Sequence, residues 1–389
     1  MKTAFFHDCV FVIDEEERYY TKGGLDSKKL SEYVNYFGEM TVFTRARRIK
    51  DNDDKKKMTI ASTENVNFKS VNNLNPISLF FGETKNKIKE LVNKSDFIII
   101  RMPSFIGHVA IKECKKQNKN YLVEMVACPW DALWNYGKLS KKICALPTFI
   151  LNKNDLKNAK NVIYVSEEFL QRRYPTKGKN IGCSDVVLKD FDNNCLESRL
   201  KKIDKMNDKN KIKICTVANV ELKYKGQEYV IKAIKKLKKK GMLIDYYIVG
   251  GGDPTRLKKI IEKYELQDDV HLTGGIPHNK VYDLLDEIDL YIQPSLQEGL
   301  PRAVVEAMSR ACPIIGSKTG GIPELISDEY IFKRKNVAEI SKMIERFISS
   351  KNTLKGMAIK NYEKSKKFQS DILIDKRNNF YKMILADKA

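Results

Sequence analysis

One pattern constrains the fold of this chain more than any other, and it runs twice. Short, continuously apolar segments alternate with segments of helical spacing, and the alternation restarts after a polar interval. In the first half the strand-like segments begin at Ala4-Phe5-Phe6 and continue at 40–44, 97–101, 121–126 and 162–166, with helical spacing over 25–37 and 107–117. In the second half they fall at 213–217, 243–249, 270–273, 290–295 and 313–317, with helical spacing over 229–240, 253–264 and 281–288. Strands apolar on both faces belong in a parallel sheet covered by helices on both sides. A chain of 389 residues exceeds one ordinary domain, which suits two such units. The polar residues 200–210 read as the linker between them. A last helical segment covers 371–385.

The most specific local feature is Glu298-Gly299-Leu300-Pro301-Arg302-Ala303-Val304-Val305-Glu306. It follows the strand-like 290–295 and precedes the strand-like 313–317, so it reads as strand, loop, helix, strand. On one continuous helix, residues eight apart turn through about 800°, and the two glutamates would then face nearly the same way. A helix N-terminus offers free N–H groups and partial positive charge to an anion. Carboxylates accept hydrogen bonds from hydroxyls, and glycines permit close approach. The combination suits a phosphorylated polyol.

These residues resemble the E-x7-E signature of the retaining glycosyltransferases of family 4. Pro294-Ser295 before it, Gly320-Gly321-Ile322-Pro323-Glu324 after it, and the upstream Lys225-Gly226 and Gly250-Gly251-Gly252 extend the likeness over most of the C-terminal half. The chain looks especially like the bacterial members that build capsular and other surface polysaccharides. The resemblance implies an α/β chain of the GT-B fold. Two doubly wound Rossmann-like domains would face a central cleft, and the C-terminal helix would cross back to the N-terminal domain. The corresponding boundaries are 1–205 for an acceptor domain, 206–368 for a nucleotide-sugar domain and 369–389 for the returning helix.

The implied reaction moves a hexosyl or related group from a nucleotide-diphosphate sugar to a glycan or lipid-diphosphate-linked acceptor, with retention. A UDP-sugar is the first expectation for the donor and a GDP-sugar the second; no other cofactor is expected. Lys225 matches the phosphate-binding lysine. Glu298 matches the glutamate beside the donor sugar, and Glu306 the one that accepts from ribose hydroxyls. The backbone at Gly299 and Leu300 would line sugar and phosphate, and Gly250 and Gly251 would form a nucleotide turn. Ile276, in Gly274-Gly275-Ile276-Pro277-His278, falls where the base would rest; His278 receives no chemical role.

Many members carry an arginine near the position of Asn219; without it, either Lys223 or Arg302 supplies the second positive charge or the site manages with one. Gly23 and Gly24 resemble the glycine loop after the first strand. Where members carry a histidine, this chain reads Cys128-Pro129-Trp130-Asp131. Asp131 is therefore either the acceptor-side residue or a helix N-cap. His108 is a further candidate on that side.

Lysine and arginine exceed aspartate and glutamate by 71 − 50, giving +21. An anionic membrane surface, an anionic substrate, or lysine spread evenly over solvated faces each fit that excess. A nucleic-acid partner is not expected, because no zinc, helix-turn-helix or aromatic-basic motif accompanies the charge. An epimerase on the same scaffold is the competing enzyme reading. Eight scattered cysteines without a C-x-x-C pair suit a reducing cytoplasm. With no apolar run of about eighteen residues, the chain is expected in the cytoplasm or peripheral to the membrane's inner face. Asp51-Asn52-Asp53 resembles a metal-binding D-x-D but reads as a solvated loop, and no metal is expected.

Overall fold

The computed structural model describes residues 1–50, 55, 58–72, 76–135, 139–188, 191–207 and 211–386. Asp51-Asn52-Asp53 and the last three residues of the expected linker lie outside them. The chain divides into two compact units: Met1–Pro129 with Leu146–Gly182 and Asn378–Ala389, and Trp130–Ala145 with Cys183–Arg377.

The first unit carries β1 (Thr3–Ile13), β2 (Tyr19–Thr21), β3 (Met40–Arg48), β4 (Thr59–Ile60), β5 (Val66–Val71), β6 (Phe97–Met102), β7 (Tyr121–Met125), β8 (Asn161–Tyr164) and β9 (Lys179–Gly182). The parallel strands run in the order β5-β3-β1-β6-β7-β8-β9. Phe97, Ile98, Ile99 and Ile100 are fully buried, as a strand sandwiched by helices requires. Strand β1 outruns its expected start and shifts register against β3 between Phe6 and Val10. Its far end turns into an antiparallel extension with β2 and β4. Gly23 and Gly24 therefore follow this hairpin and not the first strand. Neither has φ in the left-handed region, and nothing lies within 4 Å of a Cβ added at Gly24.

Helix α1 (Ser27–Phe37) is capped by Asp26, which accepts from the Lys29 N–H at 2.9 Å. Helices α2 (Phe105–Lys116), α3 (Pro129–Trp134) and α4 (Leu139–Lys157) follow. Residues 200–204, expected within the linker, instead form the second half of α5 (Cys195–Asp204). That helix is anchored by buried Arg199, which donates to the carbonyls of Leu285 at 2.6 Å and of Ile288.

The second unit's sheet is wholly parallel, with β10 (Ile212–Val217), β11 (Ile244–Val249), β12 (Val270–Gly274), β13 (Leu290–Gln293), β14 (Ile314–Ser317) and β15 (Ile331–Phe332) in the order β12-β11-β10-β13-β14-β15. Counted from β10, that is 3-2-1-4-5-6, the Rossmann order. The connecting helices include α6 (Gln227–Lys238), α7 (Thr255–Tyr264), α8 (His278–Glu287) and α9 (Arg302–Ser309). Helix α10 (Ser370–Ala386) ends the described chain, and Tyr381 on it packs against Phe37 of the first unit at 4.8 Å between ring centroids.

Candidate active site

In a doubly wound sheet the loops leaving two neighbouring strands diverge where the strand order reverses, and a crevice opens at their carboxyl ends. In the second unit that point lies between β10 and β13. The segment after β10 carries Lys225, and the segment after β13 carries Glu298. Lys225 Nζ stands 2.8 Å from Glu298 Oε1, with both side chains largely withdrawn from solvent.

Glycines set this geometry. Gly226 has φ +75°, and a Cβ there would lie 2.1 Å from the Pro294 carbonyl oxygen. Gly320 has φ +55°, and its Cβ would meet the Glu298 carbonyl oxygen at 2.1 Å. The Gly321 N–H donates to the Gly299 carbonyl at 2.7 Å. Backbones from three loops thus touch where any side chain would separate them. Gly250 packs likewise against the Ala218 carbonyl and donates to the Gly274 carbonyl at 2.9 Å, while Gly251 faces open space.

Glu298 is held from behind by a buried relay along β13. Ser295 Oγ donates to Glu298 Oε1 at 2.6 Å, and Gln293 Nε2 donates to the same oxygen at 3.1 Å. Tyr291 OH donates to Gln293 Oε1 at 2.8 Å and accepts from the Val217 N–H at 3.3 Å. Burial drives the Tyr291 phenol well above its ordinary pKa, so it stays a protonated donor. Oε1 of Glu298 therefore receives three donors, which fixes its carboxylate.

Helix α9 begins at Arg302, with Pro301 as a cap that supplies no side-chain hydrogen bond. Glu298 thus lies four residues before the helix, which corrects the expectation that both glutamates share a continuous helical face. Pro301 is the reason, since proline marks helix starts and lacks an N–H. The N–H groups of Gly299 and Leu300 donate to nothing among the described residues. Together with the first turn of α9 they form an uncapped, electropositive mouth. The Arg302 side chain is exposed there without a hydrogen bond or ion pair among the described residues, as is the side chain of Lys223 after β10. Asn219 directs its Oδ1 to the amides of Glu221 and Leu222, at 3.0 and 3.3 Å, and so shapes the turn.

Glu306 is buried in α9, and its Oε1 meets His278 Nε2 at 2.9 Å. His278, to which the sequence reading gave no role, opens α8 directly after Pro277 and is exposed. The short turn from β12 through half-buried Ile276 was the signal, because it delivers His278 to the carboxyl side of the sheet. A second residue missed was Arg334, whose guanidinium reaches the Leu296 carbonyl at 3.3 Å, two residues before Glu298.

Asp131 is buried in the first turn of α3. The helix starts at Pro129, so Asp131 is its third residue and not an N-cap. Asn135 Nδ2 bridges the Asp131 carbonyl, at 2.9 Å, to the Leu296 carbonyl, at 3.3 Å, which brings α3 beside the Glu298 loop. His108 is buried against Asp155, with Nδ1 to Oδ2 at 2.7 Å, between α2 and α4; this is a packing role and not that of a cleft residue. Among the described residues no cluster of three His, Cys, Asp or Glu side chains could hold a metal ion.

The arrangement can bind a diphosphate at the cationic mouth, accept from hydroxyls at two fixed carboxylates, and hold a base beside the β11 and β12 turns. A profile for the family described as glycosyl transferases group 1 matches residues 198–364. Protein CapJ of Staphylococcus aureus is 34% identical over 362 residues, spanning 90% of this chain and 87% of CapJ. The putative colanic acid biosynthesis glycosyltransferase WcaL of Escherichia coli is 36% identical over 122 residues, 30% of each chain. The structure of Anabaena Alr3699/HepE in complex with UDP-glucose superposes with a TM-score of 0.63 at 15% identity, over 100% of both chains, a likeness of two-domain GT-B-like fold.

Proposed function

Since this chain belongs to the group 1 glycosyl transferases, we propose that it transfers a sugar from a nucleotide-diphosphate sugar to a glycan acceptor during surface-polysaccharide assembly, with the anomeric configuration retained, as in family 4. The observation that carries the proposal is the meeting of Lys225, Glu298 and the uncapped start of α9 at the strand-order reversal.

As the bond from the anomeric carbon to the diphosphate oxygen breaks, negative charge grows on the leaving group. Preorganised donors and cations at that oxygen are the largest source of acceleration open to such a site. Lys225 and the amides of Gly299, Leu300 and Arg302 supply them, with Arg302 and Lys223 as the further cations. Glu298 orients the donor sugar through its hydroxyls, and its relay to Tyr291 keeps that carboxylate still. Glu306 accepts from the ribose diol, with His278 steadying it. Gly250, Gly251 and Ile276 bound the nucleoside. The acceptor hydroxyl takes the anomeric carbon and passes its proton to the departing diphosphate oxygen; Asp131 is the proposed acceptor-side residue, and Gly23 and Gly24 are assigned to the acceptor-binding half.

A UDP-sugar is the favoured donor, supported by the UDP-glucose held by the Anabaena neighbour. The colanic acid assignment of WcaL supports the polysaccharide context. A lipid-diphosphate-linked glycan is the proposed acceptor, and no metal is needed for the leaving group. The test is a thermal-shift panel of UDP, GDP, ADP and CMP with their sugar conjugates, followed by turnover of the stabilising donor without metal. A selective rise for one diphosphate and release of that diphosphate support the reading. Equal response to all nucleotides, or release only with added divalent metal, contradicts it.

A further inference from the structure

The carboxyl ends of β14 and β15 lie side by side in the second unit. Ser317 pairs with Phe332, and the Lys318 N–H donates to the Phe332 carbonyl at 2.8 Å. Lys318 follows one strand and Lys333, Arg334 and Lys335 follow the other, all four exposed. None of the four side chains has an ion pair among the described residues. The turn's own carboxylate, Glu339, accepts from the Lys333 N–H at 2.8 Å and from Asn336 Nδ2 at 3.2 Å. Like charges gathered at one corner repel one another unless an anion joins them. Lys335 adds a separate sign of use. Its φ is +65°, in the left-handed region that favours glycine or asparagine. A long cationic side chain kept in a strained backbone is better explained by a ligand than by the turn.

This corner borders the candidate active site. Arg334 Nη1 donates to the Leu296 carbonyl at 3.3 Å, two residues before Glu298, and Asn135 Nδ2 donates to the same oxygen at 3.3 Å. The turn after β15 and the end of α3 therefore meet on one backbone atom of the Glu298 loop. The other N–H groups of the Arg334 guanidinium have no partner among the described residues. Their planar fork matches the two oxygens of a carboxylate. Trp134, the residue before Asn135, is 45% exposed and stacks on Trp130, with ring centroids 5.3 Å apart and planes 10° from parallel. These are the chain's two tryptophans. Lys142 Nζ stands 5.6 Å from the Trp134 ring centroid. A flat aromatic ring takes the C–H face of a sugar, and an ammonium beside it meets the sugar's hydroxyls. All of these residues belong to the second unit.

We propose that Arg334, supported by Lys318, Lys333 and Lys335, binds the carboxylate of a hexuronic acid in the acceptor glycan, with a ring of that glycan resting on Trp134. The inference rests on the glycosyl-transfer reading and narrows its acceptor to an acidic glycan. The donor's charge is met by Lys225 and the start of α9, and α3 carries Asp131, so the carboxylate is assigned to the acceptor.

The test is binding of glucuronate-ended and galacturonate-ended di- to tetrasaccharides to the full chain, each against its neutral methyl ester, with the Kd for UDP measured alongside. At least one acid is expected to bind about tenfold or more tightly than its ester, and salt should weaken the acid alone. Arg334→Gln removes that preference and leaves the Kd for UDP at the parent's value. Because Arg334 also tethers the Leu296 loop, Lys335→Gly supplies an independent check. It relieves the left-handed φ, so the melting temperature holds or rises, while acid binding weakens about threefold and ester binding stays. Trp134→Ala weakens acid and ester alike. The proposal is overturned by a parent that binds UDP but prefers the acid in no pair, or by a Lys335→Gly variant that binds the acid as the parent does. It is also overturned by a preference for UDP-glucuronate over UDP-glucose that Arg334→Gln abolishes, which would put the carboxylate on the donor. Each of these leaves the donor reading standing, whereas a parent that binds no nucleoside diphosphate removes both.

Discussion

The parallel strands run 3-2-1-4-5-6-7 in the first unit and 3-2-1-4-5-6 in the second, yet the two treat the helix at the order reversal in opposite ways. In the first unit that helix is α2, and the chain caps it itself. Asp8 accepts from Ser104 Oγ at 2.7 Å and from the N–H groups of Phe105 and Ile106 at 2.7 and 3.0 Å, while Ser104 Oγ takes the Gly107 N–H at 2.8 Å. In the second unit it is α9, whose cap residue Pro301 offers no side-chain acceptor. A carboxylate already occupies the positive end of one helix dipole, and the other is left to a ligand. The same topology is thus closed to anions in one unit and open to them in the other, and the proposed diphosphate is assigned to the open one.

Several substitutions should sharpen or break that contrast. Lys225→Ala removes the cation nearest Glu298 and is expected to lower kcat by about 100-fold or more, measured as diphosphate release; a wild-type rate would remove the lysine from the chemistry. Gly226→Ala forces a Cβ onto the Pro294 carbonyl at a left-handed φ, so stability should fall by about 2 kcal/mol or more in urea unfolding, with donor affinity falling too. Pro301→Asp gives α9 the kind of cap that α2 has. Donor Kd should rise about tenfold by calorimetry while the melting temperature holds or climbs.

The reciprocal change, Asp8→Ala, takes the carboxylate from the start of α2, leaving Ser104 as its cap, and should cost about 1 kcal/mol of stability with donor Kd unchanged; a weakened donor would show that the first unit's helix is not the closed one. The smallest effect concerns His7, in the irregular stretch of β1. Burial, with the Arg101 guanidinium adding to it, lowers its pKa from 6.5 to about 4. Between those values the unfolded chain binds the proton first, so stability falls as pH drops from about 6.5 toward 4. His7→Asn should flatten that part of a melting-temperature profile.

The second unit was largely legible because its geometry is written in single residue types. Gly226, Gly250 and Gly320 stand where backbones touch, and the apolar runs at β10, β11 and β13 needed no partner to be read. The error there lay in reading Glu298 at the helix mouth and facing the same way as Glu306, although Pro301 already marked where α9 starts. Leu200–Asp204 was misread for a different reason. Exposed Lys201 makes the segment look like linker, while Arg199 and Lys202, which anchor the helix, find their partners 86 and 89 residues away.

The first unit's polar centre was not legible at all. Glu124 is buried and accepts from Tyr33 OH at 2.6 Å, Arg101 at 3.0 Å and Tyr381 OH at 3.3 Å. Each partner reads alone as core or surface, and the sequence separations reach 257 residues. Nothing local announces such a network, since its members are chosen by tertiary proximity and by the need to pair a buried carboxylate.

Hydrogen–deuterium exchange of the full chain with and without saturating UDP tests the central contrast most directly. Slowed exchange is predicted at residues 299–305 and in the segments 219–226 and 274–278, with no change at 105–107. Protection at 105–107, or none at 299–305, would contradict the assignment of the diphosphate to the uncapped helix.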